Sequence, residues 1–393
     1  MKKRDKILFF IKNISMGIYS LASSFSLGII NISLSLVLIT TLVDRIMNLD
    51  FKKYNSKLLV LFFVFSLGIL FSFFDSINIK RSIDYIDILI YPLLIIFMIT
   101  YNSFSIKKIK YFTLLINLSI LINIIYGLYQ YSVGVRRIEG NVFVMEFATL
   151  ASFFSIFIIV YFINTKIDLK YKFGLFILFI LTVLSIIFSG TRGIWIAFPI
   201  VILILILLTK KEFMVYFMIF VILVSLFFYF FLPDYYTKRV ISIFDLTNNR
   251  SNATRILLWK GALLIFRDNP INGVGLNNFN QAIKKDEYYN ESMVSTAHAH
   301  NNFLQLSAET GFIGLLSFLY LLYNVCNLLL SFIKREDNKL YESYYIAVFG
   351  IFILYNLQGL TEYNLEDKYT TFIMWVLISF ALILYNNREY KKE

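Results

Sequence analysis

The chain has 393 residues, 59% of them hydrophobic and 16% charged, with a mean hydropathy of +0.71. Soluble domains carry about 25% charged residues, so this composition excludes a soluble globular protein and predicts an all-α integral membrane protein. The net charge is +12, and the lone cysteine, Cys326, lies in an apolar run, which leaves neither a disulfide framework nor a cysteine metal site.

A bilayer span needs about 20 mainly apolar residues. Twelve segments qualify: 8–24, 26–45, 58–75, 84–101, 111–131, 142–163, 173–189, 193–209, 213–232, 303–332, 342–361 and 369–386. The start "MKKRDKILFF" has the basic opening of a signal peptide. No A-x-A site follows, so the segment is expected to remain as the first helix. Connections are short except for residues 233–300, which begin Pro233-Asp234-Tyr235-Tyr236. The chain therefore divides into nine N-terminal spans (1–232), one large loop between helices 9 and 10 (233–300) and three C-terminal spans (301–393).

Lys and Arg in short loops mark the cytoplasmic side. With the N-terminus inside, 23 of the 37 Lys and Arg lie on that side, eight in the 233–300 loop and six in all the short segments opposite. Both termini are expected in the cytoplasm and the large loop outside. Much of the positive charge is thus a topological signal, and no nucleic-acid partner is expected.

Arginines on the outer face run against that bias. Arg192, in "FSGTRGIW", occupies the tightest outer turn. Small residues, backbone N–H groups, the Thr191 hydroxyl and one guanidinium there suit a phosphate. Arg136, Arg137 and Arg239 read as helix anchors at lipid phosphates, with Arg136 and Arg137 also candidates for a substrate phosphate. Arg255 lies in "NATRILLWKGALLIF", whose apolar spacing predicts an amphipathic helix lying on the membrane. "NPINGVGLNNF", residues 269–279, reads as a shaped turn; its Gly273-x-Gly275 has no βαβ context and is no nucleotide fingerprint.

The two histidines of the chain, His298 and His300, sit at the mouth of a helix, ahead of Asn301. A metal needs three or four ligands. With no further His, a distant Cys326 and no D-x-D pair in the outer loops, no metal is expected. A neutral imidazole at the outer face can instead take a proton from an alcohol. Glu309, about two turns further on, should face the bundle interior and pair with an Arg or a polar group. Gly311 and Gly314 have the small-residue spacing of close helix packing.

"HAHNNFLQLSAETGFIG", "SGTRGIW" and "TRILLWKGALLIFRDNPINGVGLNNF" together resemble the signatures of the O-antigen ligase and O-antigen polymerase superfamily, bacterial membrane glycosyltransferases. The topology extends the likeness along the chain. The resemblance implies a GT-C-like fold in the bacterial inner membrane and transfer without metal or other cofactor. The donor would be an undecaprenyl-pyrophosphate-linked glycan, and the acceptor a sugar hydroxyl on a lipid A-core or growing glycan. It implies that His300, Arg192 and Arg255 are catalytic. Arg192 and Arg255 would also bind the pyrophosphate, joined by Thr191, Asn301, Arg136 and Arg137. His298 is the less certain partner, and Glu309, Gly311 and Gly314 give structural support.

The residues fit that chemistry. Breaking a glycosyl–pyrophosphate bond needs fixed cations where charge builds up, and direct attack would invert the anomeric centre. Ligase and repeat-unit polymerase would use nearly the same site. A transporter or flippase of lipid-linked glycan is the alternative from another class. It would call for inverted repeats and broken helices at the midplane, whereas here the polar candidates gather on one face and no repeat is visible.

Overall fold

The computed structural model describes residues 3–48, 57–102, 104–245, 249–285, 288 and 297–389. Parts of the large loop (246–248, 286–287, 289–296) and of the basic segments (1–2, 49–56, 390–393) lie outside the described residues. Helices α1 (Lys3–Ala22) and α2 (Leu27–Asn48) form a hairpin. Helix α3 (Lys57–Leu70) ends in a 3-10 turn, and short α4 (Ile79–Asp84) leads into α5 (Asp87–Thr100). Then come α6 (Ile106–Ser132), α7 (Val144–Asn164), α8 (Leu169–Ser189), α9 (Arg192–Thr209) and α10 (Phe213–Phe231). The long connection contains α11 (Asp234–Phe244), α12 (Arg250–Asp268) and α13 (Phe279–Ala282). The chain closes with α14 (Asn302–Arg335), α15 (Lys339–Gln358) and α16 (Lys368–Glu389). Among the described residues all regular structure is helical.

Each of the twelve predicted spans falls on a helix, but among the described residues ten stretches are long and apolar enough to cross a membrane. The two others fail for different reasons. Helix α1 carries Lys3, Arg4, Asp5, Lys6 and Lys12, and α3 has only 14 residues.

Helices α7 and α16 are buried along most of their length, and α15 along two-thirds of its own. Between apolar helices in lipid the hydrophobic effect gives little, so close packing and interhelical hydrogen bonds must hold them, each bond worth on the order of 0.6 kcal/mol. Helix α7 supplies small buried residues for this, Ala148, Thr149, Ala151, Ser152 and Ser155. Thr149 donates to Gln358 Oε1 (2.7 Å), Asn164 to Glu342 (3.0 Å) and Ser343 (3.1 Å), and Tyr355 to the Asn364 carbonyl (2.8 Å).

The six connections expected on the outer side meet at one end of the bundle. Asn123, near the end of α6, bonds the Ser24 carbonyl and the Asn141 amide. Ile138 N–H reaches the Phe188 carbonyl, Ile77 N–H the Val274 carbonyl, and Asn302 N–H the Gly359 carbonyl. At the opposite end Lys12 bonds Asp44 (2.7 Å) and Asn102 (3.0 Å), tying α1, α2 and the end of α5.

Candidate functional site

Helix α14 builds the floor of the site, and it is broken. At Gly311 φ is 60° and ψ −159°, a region essentially confined to glycine. The 270–275 turn docks into the break. Val274 and Gly275 N–H donate to the Ala308 and Glu309 carbonyls, and Phe312 and Ile313 N–H to the Pro270 and Ile271 carbonyls. A Cβ on Gly311 would stand 2.2 Å from the Ile271 carbonyl oxygen. Its spacing predicts a helix–helix contact, but Gly311 instead lets a loop backbone enter the helix. A Cβ on Gly314 would meet Thr310 of its own helix.

Glu309 faces inward and is buried, and its partners are polar groups. Its Oε1 accepts from Phe279 N–H (3.0 Å) and Gln305 Nε2 (2.8 Å). It thus holds α13 against α14. Helix α12 packs there too, with Leu258, Ala262 and Ile265 fully buried among Val274, Phe279, Ile283 and Ala308. One face of α12 is thus taken up by the chain itself, while Leu263 stays exposed.

That platform pins the histidines. Ala299 is fully buried; its N–H donates to Gln305 Oε1 (2.7 Å) and its carbonyl accepts from Trp259 Nε1 (3.0 Å). His298 and His300 flank it with ring centroids 4.1 Å apart. His300 has φ 50°, a left-handed conformation that non-glycine residues adopt mainly under outside constraint. Next to it Asn301 caps α14, its Oδ1 accepting from Phe303 (2.9 Å) and Leu304 (3.1 Å) N–H, while its Nδ2 donates to the Leu360 carbonyl (2.9 Å). Expected as a phosphate ligand, Asn301 instead fixes the helix mouth, the usual work of an N-cap asparagine.

The sequence reading missed the partner of His300. His300 Nδ1 lies 2.9 Å from Glu362 Oε1, and Arg255 Nη2 lies 3.4 Å from Glu362 Oε2. One carboxylate bridges two predicted catalytic residues. Glu362 sits in the α15–α16 connection, stapled to α14 by Asn302 Nδ2 donating to Asn364 Oδ1 (2.7 Å) and Asn364 N–H to Asn302 Oδ1 (3.0 Å). The available signal was an acid group, Glu362, Glu366 and Asp367, in a short connection on the expected outer side.

The arginines form a cluster beside this pair. Arg192 donates to the Ser242 carbonyl (3.2 Å) and hydroxyl (3.0 Å), to Asn249 Oδ1 (3.4 Å) and to Ser251 Oγ (3.2 Å). It lies within electrostatic reach of Arg255, Arg239 and Arg137. A Cβ on Gly193 would stand 2.5 Å from Thr361 Oγ1, so the connection carrying Glu362 rests on the first turn of α9. Arg137 and Arg239, expected at lipid phosphates, donate instead to the Ser189 (3.1 Å) and Gly190 (2.8 Å) carbonyls at the end of α8, where a cation is favoured. Arg136 is exposed, its carbonyl accepting from Tyr236 (2.6 Å). Thr191 is buried, its hydroxyl 3.4 Å from the Val144 carbonyl on α7.

Residues 177–319 match the family model described as O-antigen ligase. Over those residues the chain is similar to the O-antigen ligases. Its relatives include proteins named "Putative polysaccharide ligase". That of Rickettsia bellii (strain RML369-C) is 28% identical over 145 residues, 35% of this chain and 34% of the relative. That of Rickettsia typhi (strain ATCC VR-144 / Wilmington) is 27% identical over 145 residues, again 35% and 34%. A third, from Rickettsia prowazekii (strain Madrid E), is 31% identical over 88 residues, 22% of this chain and 20% of the relative. The chain thus matches about a third or less of the length of these relatives. Arg192, Arg255, His298 and His300 lie inside the matched stretch, and Glu362 lies beyond it.

The electrostatics separate the two histidines. Burial, with the His300 and Arg255 charges, pushes the His298 imidazole down to about 4, against the pull of Glu362. Burial pushes the Glu362 carboxyl up, but the His300 hydrogen bond and the His300, Arg255 and His298 charges outweigh it and hold it below the ordinary range. His298 makes a prediction with a definite sign. Its folded pKa is depressed below the imidazole value of about 6.5, so the unfolded chain takes up that proton first as pH falls. Native stability is present above about pH 6.5 and is lost towards pH 4. The thermal midpoint of the detergent-solubilised protein should drop less between pH 7.5 and 5 in His298→Gln than in wild type. An equal drop would assign the acid loss to other groups.

Glu362 also changes the ligand count. His298, His300 and Glu362 place donor atoms within 4.8 Å of one another, so the expectation of no metal loses its ground, the shortage of ligands. The fit to a cation is poor on other grounds. Glu362 Oε1 already faces His300, and the Arg255 guanidinium sits at Oε2, a like charge beside any bound ion. Chelation of the purified protein is expected to leave its activity unchanged. Activity lost on chelation and restored by a divalent ion would make these three residues a metal site.

Proposed function

We propose that this protein transfers a glycan from an undecaprenyl-pyrophosphate donor to a sugar hydroxyl at the outer face of the bacterial inner membrane, as an O-antigen ligase type glycosyltransferase. The observation that carries the reading is the His300–Glu362–Arg255 constellation beside Arg192, joining a base to fixed cations at one end of the bundle. An ionised carboxylate only accepts hydrogen bonds, so Glu362 places the imidazole proton on His300 Nδ1 and leaves Nε2 as the acceptor. The acceptor hydroxyl gives its proton to Nε2 while its oxygen forms the bond to the anomeric carbon. On the opposite face the bond from that carbon to the pyrophosphate oxygen breaks, with inversion. The leaving group departs as an anion, and Arg192 and Arg255 face the charge as it develops.

Arg192 and the first-turn amides of α9 give this anion a helix N-terminus as well as a guanidinium. Arg192→Ala and Arg255→Ala are each expected to lower transfer by about 10²–10³ with the protein still present in the membrane. Near-normal transfer in either variant would remove that residue from the site. The deciding experiment reconstitutes the protein with a lipid-linked glycan donor and a separate acceptor. Glycan on the acceptor supports ligation, and chain growth on the lipid carrier would make the protein a polymerase. Donor moved across the bilayer without a new glycosidic bond would make it a transporter.

A further inference from the structure

Past His300 the site continues into three side chains that the proposed chemistry leaves unused, His298, Glu366 and Tyr85. His298 Nε2 lies 3.9 Å from Glu366 Oε1, and Glu366 Oε2 accepts from the Tyr85 hydroxyl at 2.6 Å. Tyr363 is buried beside His298, with ring centroids 5.7 Å apart. Tyr85 ends α4, and its surroundings are tied down from two sides. Ser82 Oγ donates to the Leu276 carbonyl (2.8 Å), and Lys368 Nζ on α16 donates to Asp87 Oδ2 on α5 (2.8 Å). Glu366 is thus held through one oxygen, while its side chain stays exposed to an incoming molecule.

The hydrogen bonds fix which atoms face the gap. His300 N–H donates to His298 Nδ1 (3.3 Å), so Nδ1 accepts and the neutral imidazole carries its proton on Nε2. Burial, with the His300 and Arg255 charges, keeps His298 neutral at neutral pH. Nε2–H and the Glu366 carboxylate then face each other as donor and acceptor. Their separation of 3.9 Å is too long for a hydrogen bond between them. One hydroxyl oxygen seated about 2.8 Å from both atoms closes the gap, accepting from Nε2–H and donating to Glu366. The contacts also run in order. Arg255 meets Glu362, Glu362 meets His300, His300 stands against His298, and His298 faces Glu366. The guanidinium end suits a phosphate, whereas the carboxylate end repels one. A group with hydroxyls and no phosphate suits that second end.

We propose that the His298–Glu366 gap binds a hydroxyl of the acceptor sugar, next to the hydroxyl that His300 deprotonates. The acceptor is then a sugar with two neighbouring free hydroxyls, one that reacts and one that is read. The His298 and His300 rings, with centroids 4.1 Å apart, are close enough to meet two neighbouring hydroxyls of one sugar ring. This rests on the function proposed above and moves His298 from the pyrophosphate to the acceptor. Tyr85 acts through Glu366 and is a positioning residue.

The test gives the full-length protein in detergent an undecaprenyl-pyrophosphate-linked glycan as donor. Methyl glucoside, galactoside and mannoside serve as acceptors, each alongside its monodeoxy analogues. Losing the hydroxyl next to the reacting one leaves His298 and Glu366 unpaired, so wild type should lose at least about tenfold in acceptor kcat/KM. Losing a remote hydroxyl should cost less. Glu366→Ala and the milder Tyr85→Phe should each raise the acceptor KM and keep the donor KM within about twofold. Both should also bring the deoxy penalty towards one, which a structural defect alone would not do at a single hydroxyl. No penalty in wild type, a penalty kept in both variants, or a donor KM that rises with the acceptor KM would overturn the proposal. Wild type that forms no glycosidic bond, on glycoside or on lipid carrier, would overturn the proposed function itself. Where no glycoside is a substrate, saturation-transfer NMR with the same glycosides decides the gap separately. Signals weakened in Glu366→Ala support it; signals absent from wild type, or equal in the two proteins, overturn it.

Discussion

His300→Ala and Glu362→Gln are each expected to reduce glycan transfer by about 10²–10⁴, and the double variant to fall little below the worse single one. The reason is the 2.9 Å contact between His300 Nδ1 and Glu362 Oε1. If the carboxylate acts by holding the imidazole in one tautomer and stabilising its protonated form, removing it gains nothing further once the imidazole is gone. Residues that act as a unit are strongly non-additive in this way. Rates from the reconstituted assay, normalised to protein in the membrane, give the cycle directly. Losses that multiply would mean that Glu362 works independently of His300, through Arg255. Glu362→Asp adds a control: partial recovery with a shifted pH profile marks a positioning residue, and recovery without that shift marks a structural one.

Gly311→Ala is expected to cost stability as well as activity. Its φ of 60° and ψ of −159° cost a residue with a Cβ about 1–3 kcal/mol in backbone strain alone. The added atom would also meet backbone on the facing loop, at 2.2 Å from Ile271 O and 2.7 Å from Asn272 N. Neither can move without breaking the hydrogen bonds from Phe312 and Ile313 into that loop. The thermal midpoint should fall, and limited proteolysis should cut the 270–279 turn sooner than in wild type. Gly314→Ala is the comparison, because its Cβ meets only the Thr310 side chain. Equal losses in the two variants would show that the docked loop places no special demand on position 311.

The sequence carried the helices and half of the site. Runs of apolar residues with few charges reveal spans one at a time, and the Arg192 and His298-x-His300 segments stand out locally. What it hid was long-range. Glu362 reaches His300 across 62 positions, through a staple of two asparagines that look like ordinary loop residues. The role of Gly311 was masked by Gly314, because a glycine pair three apart also satisfies helix packing. The cap role of Asn301 was legible and went unread: its place at the start of a helix makes it the N-cap of α14.

The bridge between Arg255 and His300 also bears on how the protein comes to be made. The arginines belong to segments synthesised early and midway, the base follows, and the carboxylate that joins base to cation arrives only with the connection between the final two helices described. Until α15 and α16 are inserted, His300 lacks its orienting partner and Arg255 its counter-charge. On the function proposed above, a nascent chain would present its cations before it could act, and activity would wait for the α15–α16 connection.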